Sequence, residues 1–296
     1  MNRHEIALVT AREARDLDED LPPLRRALLD AGAQVHIVDW DDAAADWSKY
    51  SMALLRSAWD YVPRLPEFLD WARRTSQSTL LLNPVPVVRW NTDKHYLADL
   101  ARHGVPTVPS AFIEPGEDGA AALSRFLGKH AQPEFVIKPA IGAGSRDAQR
   151  HHHEDRVAAL AHVQRLLAAG RSVLMQPYLH HVDEYGETAL MYFDGQFSHA
   201  IRKGPLLRRG EGPTEGLFAT ETITPRGPRA DELRVGAQAL AAMPFETPLY
   251  ARVDLILDAS GAPCVLELEL TEPSLFFTHA PGSAERFAAA ILKRGR

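Results

Sequence analysis

Two apolar segments near the C-terminus, separated by a short polar turn, constrain the fold more than any other feature of the chain. Residues 249–257 and 263–270 each alternate side chains as a strand does, and Asp-Ala-Ser-Gly-Ala between them is typical of a tight turn. The pattern predicts an antiparallel hairpin whose turn centres between Ser260 and Gly261. Because side chains alternate between the two faces of a strand, this register determines which residues share a face.

One face of the predicted hairpin carries four charged side chains. In this register Asp254 lies opposite Glu267, and Arg252 lies opposite Glu269. The other face is predicted to be apolar and holds Val253, Leu255, Leu257, Leu266, Leu268 and Leu270. Clustered carboxylates are costly to bury unless cations compensate them, so the face favours a divalent cation. Oxygen ligands without cysteine or histidine favour Mg²⁺ or Mn²⁺; the alternative is a solvated face with cross-strand ion pairs.

The composition is that of an ordinary globular protein and excludes several classes. The chain has 296 residues, 45% of them hydrophobic and 24% charged, which is enough for two or three lobes with their own cores. Its net charge of -6 provides no basic footprint for nucleic acid or an anionic membrane, so a small-molecule substrate is expected. With neither a signal-like start nor an apolar run of about 18 to 20 residues, the chain is predicted to be cytoplasmic.

The first 90 residues predict a small parallel α/β lobe. Short apolar runs alternate with helical stretches; the runs are Ile6–Val9, Val35–Val38, Met52–Leu55 and Thr79–Leu82. A further helix is predicted over Thr92–His103, because Gly104 and Pro106 follow it.

The remaining residues predict two α+β lobes. The first contains strands at 134–139 and 172–176, a glycine-containing loop at 141–147 and a helix at 155–169. The second begins with a hairpin joined at Asp194-Gly195, and a mobile loop is predicted over residues 204–216. We therefore expect three domains, residues 1–90, 91–180 and 181–296.

Two lysines stand where they could contact phosphate groups. Lys138 ends an apolar run and precedes the glycine-containing loop, whose backbone amides could approach phosphate oxygens. Lys94 is predicted in the first turn of its helix, where a positive charge opposes the helix dipole. A nearby anion would explain both lysines. The alternative for Lys138 is a β-turn with an extended lysine side chain, and the alternative for Lys94 is an ordinary exposed lysine. The loop is not a P-loop, because the GxxxxGK[ST] spacing is absent.

Taken in order, these segments resemble the ATP-grasp superfamily. The shared order is a lysine on a helix, a lysine before a glycine-rich loop, a Gln-Pro-Tyr segment, an acidic residue and an R-x-D…E-x-N/E hairpin. The resemblance covers residues 90–280 and implies an α+β fold whose two lobes hold ATP between them, after an α/β lobe. It implies ATP and Mg²⁺, with Mn²⁺ as an alternative, as cofactors.

The resemblance also implies roles for individual residues. Lys138 and Arg252 would act on the transferred phosphoryl group, and the metal ligands would be Asp254, Glu267 and Glu269. Many relatives have asparagine where this chain has Glu269, which makes the site here more negative. The nucleotide contacts would be Lys94, Lys138, Gly142, Gly144, Ser145, Gln176, Pro177, Tyr178 and Leu179. Either Glu184 or Glu187 would bind ribose or orient Lys138, and the resemblance does not separate them.

Four phrases are similar to a bacterial, glutathione-synthetase-like branch of that superfamily. They are LRSAWDY at 55–61, RWNTDK at 89–94, HAIRK at 199–203 and ELTEPSL at 269–275. The branch includes the cyclo-ligase that activates the carboxylate of O-ureido-D-serine and forms D-cycloserine. The resemblance therefore implies a ligase of antibiotic biosynthesis that makes an acylphosphate of an amino-acid-like molecule. The alternatives are an intermolecular dipeptide or glutathione-type ligase, a kinase and a non-catalytic ATP-binding module; a homodimer is compatible, because similar ligases commonly form dimers.

Polar residues close to predicted strand ends are candidates for substrate contacts. Three of them, Ser57, Asp60 and Tyr61, leave the carboxyl end of a parallel strand, where open α/β sheets bind ligands. Of these, Asp60 could receive an ammonium group or cap a turn. The other candidates follow later strands. Arg202 and Lys203 could each clamp a carboxylate or phosphate, or simply be a basic strand end, and Ser274 could hydrogen-bond the substrate or cap a turn.

Two further features are predicted to carry no chemistry. The tract His151–His153 is expected to be solvated surface, because three consecutive side chains converge poorly on one ion. The single cysteine, Cys264, lies in a predicted strand and is expected to be inert core; with no second cysteine, intramolecular disulfides are excluded.

Overall fold

The computed structural model describes residues 4–207 and 222–295, and its first layer is a parallel sheet. The strands, in the order β2-β1-β3-β4, are β1 (Glu5–Thr10), β2 (Gln34–Asp39), β3 (Met52–Ser57) and β4 (Leu80–Leu82). Helices of this layer are α1 (Leu21–Asp30), α2 (Leu65–Thr75) and α3 (Val85–Asn91). Because β1 and β3 are almost wholly buried, they show in the sequence as continuous apolar runs. The predicted parallel α/β arrangement is confirmed.

The second layer is an antiparallel sheet whose helices lie between its strands along the chain. Its strands, in the order β5-β8-β6-β7, are β5 (Ala111–Ile113), β6 (Glu134–Pro139), β7 (Gln149–His152) and β8 (Val173–Pro177). Helices α5 (Gly119–Lys129) and α6 (Arg156–Ala168) pack on the sheet through one apolar cluster. The strands predicted at 134–139 and 172–176 are confirmed. Strands β5 and β7 are too short to establish an alternation in the sequence.

The third layer is a five-stranded antiparallel sheet. Its strands, in the order β11-β10-β9-β12-β13, are β9 (Glu187–Phe193), β10 (Gln196–Lys203), β11 (Ile223–Pro225), β12 (Tyr250–Leu257) and β13 (Pro263–Glu269). Helices of this part are α7 (His181–Tyr185), α8 (Ala230–Ala241) and α9 (Ser283–Arg294). The predicted turn at Asp194-Gly195 is confirmed, with φ of 49° and 76° at its two residues. Residues 208–216 of the predicted mobile loop lie outside the described residues.

The last helix, α9, returns to the first layer and packs against α1. One cluster of buried side chains joins the two layers and includes Leu8 of β1, Met191 of β9 and Phe287 of α9. This shared core contains residues from both the N-terminal and the C-terminal part of the chain. The division into domains at residues 90 and 180 therefore stays a prediction. Among the described helices, none has both the length and the apolar character needed to cross a membrane.

The helix predicted over Thr92–His103 is wrong in its first turn. Helix α3 ends at Asn91, and the next helix, α4 (Tyr96–Arg102), starts after a turn that contains Lys94. The Lys94 amide donates to the carbonyl of Ala140 at 2.9 Å, so the end of β6 fixes this residue. Lys94 therefore lies in a turn between two helices.

The hairpin β12–β13 keeps the predicted register only as far as Asp254. At Leu255 the register shifts, and this residue pairs with Val265. A bulge exchanges the faces of the residues beyond it. Leu266 therefore packs beside Ile256 on the cavity side, and its predicted place on the apolar face is wrong; Val265 takes that place.

Candidate active site

A cavity of about 600 Å³ lies where the three layers meet. Every layer contributes to its lining, for example Trp59 and Tyr61 from the first, Lys138 and Tyr178 from the second, and Glu267 and Glu269 from the third. Its volume falls in the range of small-molecule and cofactor sites.

Four charged residues of the β12–β13 hairpin form one part of the site. Arg252 pairs with Glu269 and Asp254 with Glu267 across the strands, which confirms the predicted register here. The Arg252 guanidinium donates to both carboxylate oxygens of Asp254, at 2.9 and 3.0 Å, and also to Glu269. Arg252 and Asp254 are 5% and 1% exposed, while Glu267 and Glu269 are partly exposed. The face is therefore a largely buried network of ion pairs that opens to the cavity, rather than a solvated surface.

Two lysines of the preceding segments reach the same cavity. The Lys94 ammonium lies 3.0 Å from the Glu267 carboxylate and donates to the carbonyl of Gly142 at 2.7 Å. Lys138 lines the cavity; burial lowers its pKa, although the charge of Glu267 opposes this effect. The structure therefore brings both predicted lysines to the charged face of the hairpin.

A third lysine, Lys203, completes the cationic set. Its ammonium lies 3.0 Å from Asp254 and 3.1 Å from Glu187, and both Lys203 and Glu187 line the cavity. The preceding residue, Arg202, instead donates to two backbone carbonyls at the end of α7, at 2.8 and 3.0 Å. The Arg202 side chain is therefore engaged away from the cavity lining, and its substrate contact stays a prediction that this geometry does not favour. Of the two acidic alternatives, Glu187 lines the cavity, while the Glu184 side chain is exposed outside it.

Opposing effects determine the protonation of the hairpin carboxylates. Burial raises the pKa of Asp254, but the adjacent arginine and lysine outweigh it and hold the pKa below its usual value. Burial likewise raises the pKa of Glu267, and its two neighbouring lysines outweigh it. For Glu269, burial and the neighbouring carboxylates prevail over the arginine and raise the pKa to about 7. One of the three carboxyl groups is thus only partly ionised at neutral pH.

These carboxylates fit a hard divalent cation by their chemistry, although their oxygen atoms already have partners. Oxygen donors suit Mg²⁺, and a cation would relieve the repulsion that raises the pKa of Glu269. Within residues 4–207 and 222–295, no three histidine, cysteine, aspartate or glutamate side chains are already arranged as a metal site. Asp254 is 1% exposed, with its oxygens held by Arg252 and Lys203. A metal would have to share these carboxylates with the bound cations, so the metal assignment stays a prediction.

The glycine-containing loop between β6 and β7 lies at the cavity as predicted. Gly142, Gly144 and Ser145 line it, and Gly144 and Ser145 have φ of 63° and 59°. A left-handed conformation at a serine costs about 1 kcal/mol or more, and such residues cluster at functional sites. A Cβ atom on Gly142 would lie 3.2 Å from the Pro139 ring, so this position favours glycine.

The predicted adenine segment also lines the cavity, with Gln176, Pro177, Tyr178 and Leu179. The Tyr178 amide already donates to the carbonyl of Glu134 at 2.9 Å, so a backbone contact from this residue would use its carbonyl. The Tyr178 ring lies 3.5 Å from the Arg150 guanidinium, and its hydroxyl donates to Asp183 at 2.5 Å. These contacts fix the ring in place.

The polar residues after β3 divide into two groups. Tyr61 lines the cavity, as predicted for a substrate contact. Ser57 does not; it is fully buried and shares a hydrogen bond of 2.7 Å with a threonine hydroxyl of β1. Asp60 also lies outside the cavity, where it accepts hydrogen bonds from Trp40 at 2.8 Å and Arg64 at 2.7 Å. The substrate contacts of Ser57 and Asp60 stay predictions that this geometry does not favour, because their polar atoms are engaged within the first layer.

Residues 272–277, here called the strap, form a further part of the cavity wall. Glu272, Ser274 and Phe276 line the cavity, and the Ser274 carbonyl accepts a hydrogen bond from Arg252 at 3.1 Å. Phe276 has φ of 54° and ψ of 45°, a left-handed conformation that is rare for a bulky residue. Ser274 is predicted from the sequence, whereas Glu272 stands in the phrase ELTEPSL without a predicted role and Phe276 lies just beyond it.

The first layer holds the strap in place. Asp20, 3% exposed, accepts hydrogen bonds from three consecutive strap amides. Arg56 donates to the carbonyl of Pro273 at 2.8 Å, and Trp59 donates to that of Glu272 at 3.0 Å. These partners are more than 200 positions apart in the chain, so the sequence contains no local sign of them.

The two features predicted to carry no chemistry have different outcomes. His151 is 8% exposed, and its Nε2 lies 3.0 Å from Nδ1 of His162 on α6, so its predicted solvated position is wrong. Burial lowers the pKa of His151, and burial together with the His151 charge lowers that of His162 to about 4. Cys264 is buried and its pKa is raised to about 12, which confirms it as inert core.

Comparisons with known proteins show relatives that extend over nearly the whole chain. The family model for the N-terminal domain of D-cycloserine synthetase DcsG matches residues 6–83. The chain is 43% identical to the cycloserine biosynthesis protein DcsG of Streptomyces lavendulae over 298 residues, with 98% of each chain covered. The crystal structure of D-cycloserine synthetase DcsG superposes with a TM-score of 0.92 at 42% identity, covering 98% of this chain and 99% of that one.

More distant solved structures share the fold. The ATP-grasp ligase PsnB complexed with its minimal precursor has a TM-score of 0.68 at 17% identity, covering 99% of this chain and 100% of that one. D-alanine–D-alanine ligase from Bacillus anthracis complexed with ATP has a TM-score of 0.68 at 14% identity, covering 100% and 97%. At this identity the likeness concerns the fold alone, and it confirms the predicted α+β ATP-grasp fold.

Proposed function

The chain belongs to the D-cycloserine synthetase family and has the ATP-grasp fold, and from this premise we propose that it forms D-cycloserine from O-ureido-D-serine with ATP and Mg²⁺. The observation that carries the proposal is the meeting, in one cavity, of two lysines with three charged residues of the β12–β13 hairpin. The lysines are Lys94 and Lys138, and the hairpin residues are Arg252, Glu267 and Glu269. Such a set serves phosphoryl transfer, which depends on positioning and charge neutralisation.

The first step would transfer the γ-phosphoryl group of ATP to the substrate carboxylate. Cationic side chains would hold the phosphates and offset the charge that develops on them; these are Lys94, Lys138, Lys203 and Arg252. Mg²⁺, or Mn²⁺ in its place, would neutralise phosphate charge when held by Asp254, Glu267 and Glu269. The products of this step are ADP and an acylphosphate, whose phosphate is a good leaving group.

The nucleotide would lie between the second and third layers. Residues 176–179 would contact adenine, and Glu187 rather than Glu184 would contact ribose or orient a lysine, because only Glu187 lines the cavity. The glycine-containing loop, residues 142–145, would cover the phosphates beside Lys94, which donates to the Gly142 carbonyl at 2.7 Å.

Ring closure would follow within the same cavity. The oxygen-bound nitrogen of the ureido group would lose its proton and attack the substrate's own acyl carbon, and phosphate would leave, so no protein nucleophile is required. Water would then cleave the bond between this nitrogen and the carbamoyl group, which would leave as CO₂ and NH₃. Cys264 is buried with a pKa raised to about 12, in keeping with this route. The walls would keep the substrate folded on itself and exclude water that would hydrolyse the acylphosphate.

The test is product analysis by mass spectrometry with purified protein, ATP, Mg²⁺ and O-ureido-D-serine. We expect D-cycloserine, with one ADP and one phosphate for each ring, and no product without ATP. Absence of D-cycloserine while D-alanine or γ-glutamylcysteine substrates are ligated would favour the intermolecular alternative. ATP binding without phosphate release over a broad amino-acid panel would favour the non-catalytic module. The homodimer and the cytoplasmic location stay predictions.

A further inference from the structure

Beside the charged face of the hairpin, one carboxyl group of the cavity wall differs from its neighbours. The carboxylates of Glu187, Asp254, Glu267 and Glu269 each form an ion pair with a lysine or arginine. Glu272 also lines the cavity, yet no basic side chain of residues 4–207 and 222–295 forms an ion pair with it. A carboxylate in a confined site without a cation is unfavourable unless a ligand supplies one.

The surroundings of Glu272 suit a small organic cation. The aromatic residues Trp59 and Tyr61 line the same part of the cavity, and the Tyr61 hydroxyl lies beside the Glu272 carboxyl group. Aromatic rings attract ammonium groups as well as packing against carbon chains. Burial and the nearby Glu269 charge raise the pKa of Glu272 to about 8, as expected for a carboxyl group without a cation beside it.

The backbone of Glu272 is fixed before any ligand binds. Trp59 donates to its carbonyl at 3.0 Å, and Arg56 donates to the next carbonyl, of Pro273, at 2.8 Å. Asp20 holds the amides of the rest of the strap. A carboxylate on such an anchored segment is preorganised for one ligand position.

The strap also relates Glu272 to Arg252. The Arg252 guanidinium donates to the carbonyl of Ser274, two residues from Glu272, at 3.1 Å. The cavity wall thus holds a cationic group, which also pairs with Asp254 and Glu269, and a carboxyl group that a bound cation would ionise. An α-amino acid carries its carboxylate and ammonium on the same carbon atom, so it matches this pair of charges.

We propose that Glu272, flanked by Trp59 and Tyr61, receives the ammonium group of the amino-acid substrate. The proposal rests on the proposed function, since it assigns one end of the substrate within the same cavity. It replaces the sequence-based expectation for Asp60, whose carboxylate is engaged by Trp40 and Arg64 outside the cavity.

The test is calorimetric binding, in the presence of ADP and Mg²⁺, of O-ureido-D-serine and of its deamino analogue 3-(ureidooxy)propanoate. The wild-type protein should bind the amino compound more tightly. The substitution Glu272→Gln keeps the size of the side chain and removes its charge. The affinity of this variant for the amino compound should be about 10- to 100-fold lower than that of the wild type, as expected when a hydrogen bond to a charged group is lost. Affinity for the deamino analogue and for ATP should stay within about 3-fold of wild type, so the preference for the ammonium group is lost.

A matched control is Glu19→Gln, which removes an exposed carboxylate from the lining of the same cavity. A general attraction of the acidic cavity for cations would make both variants lose the preference equally, and that result would overturn the proposal. An unchanged preference in Glu272→Gln would overturn it as well. If the glutamine variant does not fold by circular dichroism, Glu272→Asp decides: weaker binding of the amino compound alone supports the role, and unchanged binding of both compounds refutes it.

The outcome is separable from that of the proposed function. Binding is measured without turnover, so a protein that binds the amino compound through Glu272 but forms no D-cycloserine would refute the reaction and leave the subsite standing. Ring formation by the wild-type protein, together with an unchanged preference in Glu272→Gln, would refute the subsite alone.

Discussion

The β12–β13 hairpin and the segment Ser57–Tyr61 both carry polar side chains at the edge of a sheet, but they use them differently. Most of the hairpin charges line the cavity, whereas Ser57 and Asp60 are engaged inside the first layer. Along a strand, strict alternation fixes the face of each side chain. After a strand ends, the chain direction depends on contacts that no local pattern encodes. The alternation of β12 and β13 therefore carries the prediction for the hairpin charges, whereas nothing comparable separates Tyr61, which lines the cavity, from Ser57 and Asp60, which do not.

This comparison assigns different consequences to substitutions in the two regions. Changes on the charged face of the hairpin should lower turnover, because the affected groups line the cavity or, like Asp254, pair with residues that do. Changes at Ser57 or Asp60 should lower stability alone, since their partners belong to the same layer. The predictions below run from the largest expected effect to the smallest.

Asp254→Asn should have the largest effect. The amide keeps the size of the side chain but not the charge that faces Arg252 and Lys203, and it binds a hard cation weakly. We expect kcat/KM to fall by at least about 100-fold, measured as ADP release, while the circular dichroism spectrum stays that of the folded protein.

The matched control is Asp258→Asn in the turn of the same hairpin. This carboxylate accepts hydrogen bonds from the amides of Ser260 and Ala262 outside the cavity, so kcat/KM should stay near that of the wild type. Full activity in Asp254→Asn would refute the metal assignment and, with it, the functional half of the comparison.

Asp20→Asn should have an intermediate effect that joins the two regions. The Asp20 carboxylate accepts hydrogen bonds from three backbone amides of the strap. An asparagine would offer these amides a single acceptor oxygen, and its own N–H group would face amide donors. We expect a loss of about 2 to 3 kcal/mol in the free energy of unfolding, measured in urea. The Ser274 carbonyl of the strap also accepts a hydrogen bond from Arg252, so kcat/KM should fall about 10-fold.

The control for Asp20→Asn is Asp30→Asn, which breaks an exposed pair with Arg26 and should change stability by less than about 0.5 kcal/mol. If Asp20→Asn lost stability but kept wild-type kinetics, the strap would be structural only. Every substitution considered in the first layer would then change stability and leave turnover unchanged.

The parts of the molecule that the sequence predicts well are those with a short repeat. The register of Asp254 against Glu267 follows from a period of two, and the strand that ends at Lys138 follows from an apolar run. The exchange of faces at Leu266 was not predictable in this way, because a bulge adds one residue without a composition signal.

Contacts between distant parts of the chain explain the other errors. Asp20 meets amides about 255 positions later, so its role exists only in the folded state. His151 belongs to a polar tract, yet the alternation of β7 turns it inwards to His162. Glu272 stands in a phrase that the sequence does single out, but its lack of a cation depends on where every other side chain lies.

The pair His151 and His162 lies outside the cavity lining and gives a reference for stability without function. The pKa of His162 is about 4 in the folded protein, against an ordinary value of about 6.5 in the unfolded chain. The unfolded chain therefore takes up the proton first as the pH falls. The stability contribution is complete above pH 6.5 and is lost progressively down to pH 4.

Between pH 7.5 and pH 5.5, His162 alone should lower the free energy of unfolding by about 1 kcal/mol. His162→Asn, which keeps a polar atom near Nδ1, should reduce the pH dependence by that amount in urea unfolding at the two pH values. An identical pH dependence in wild type and variant would show that the proton binds elsewhere. The kcat/KM of the variant should follow that of the wild type at pH 7.5.

Asp60→Asn should have the smallest effect and tests the comparison from the other side. The amide still accepts the Trp40 indole hydrogen bond but loses the charge that faces Arg64, on a partly exposed pair. We expect the free energy of unfolding to fall by at most about 1 kcal/mol, and kcat/KM to stay unchanged. Asp41→Asn, which faces the same guanidinium at 2.9 Å, should behave alike. A rise of about 10-fold or more in the KM for the amino-acid substrate in Asp60→Asn alone would return Asp60 to the substrate site, because a loss of surface pairing cannot weaken a ligand that lies in another cavity.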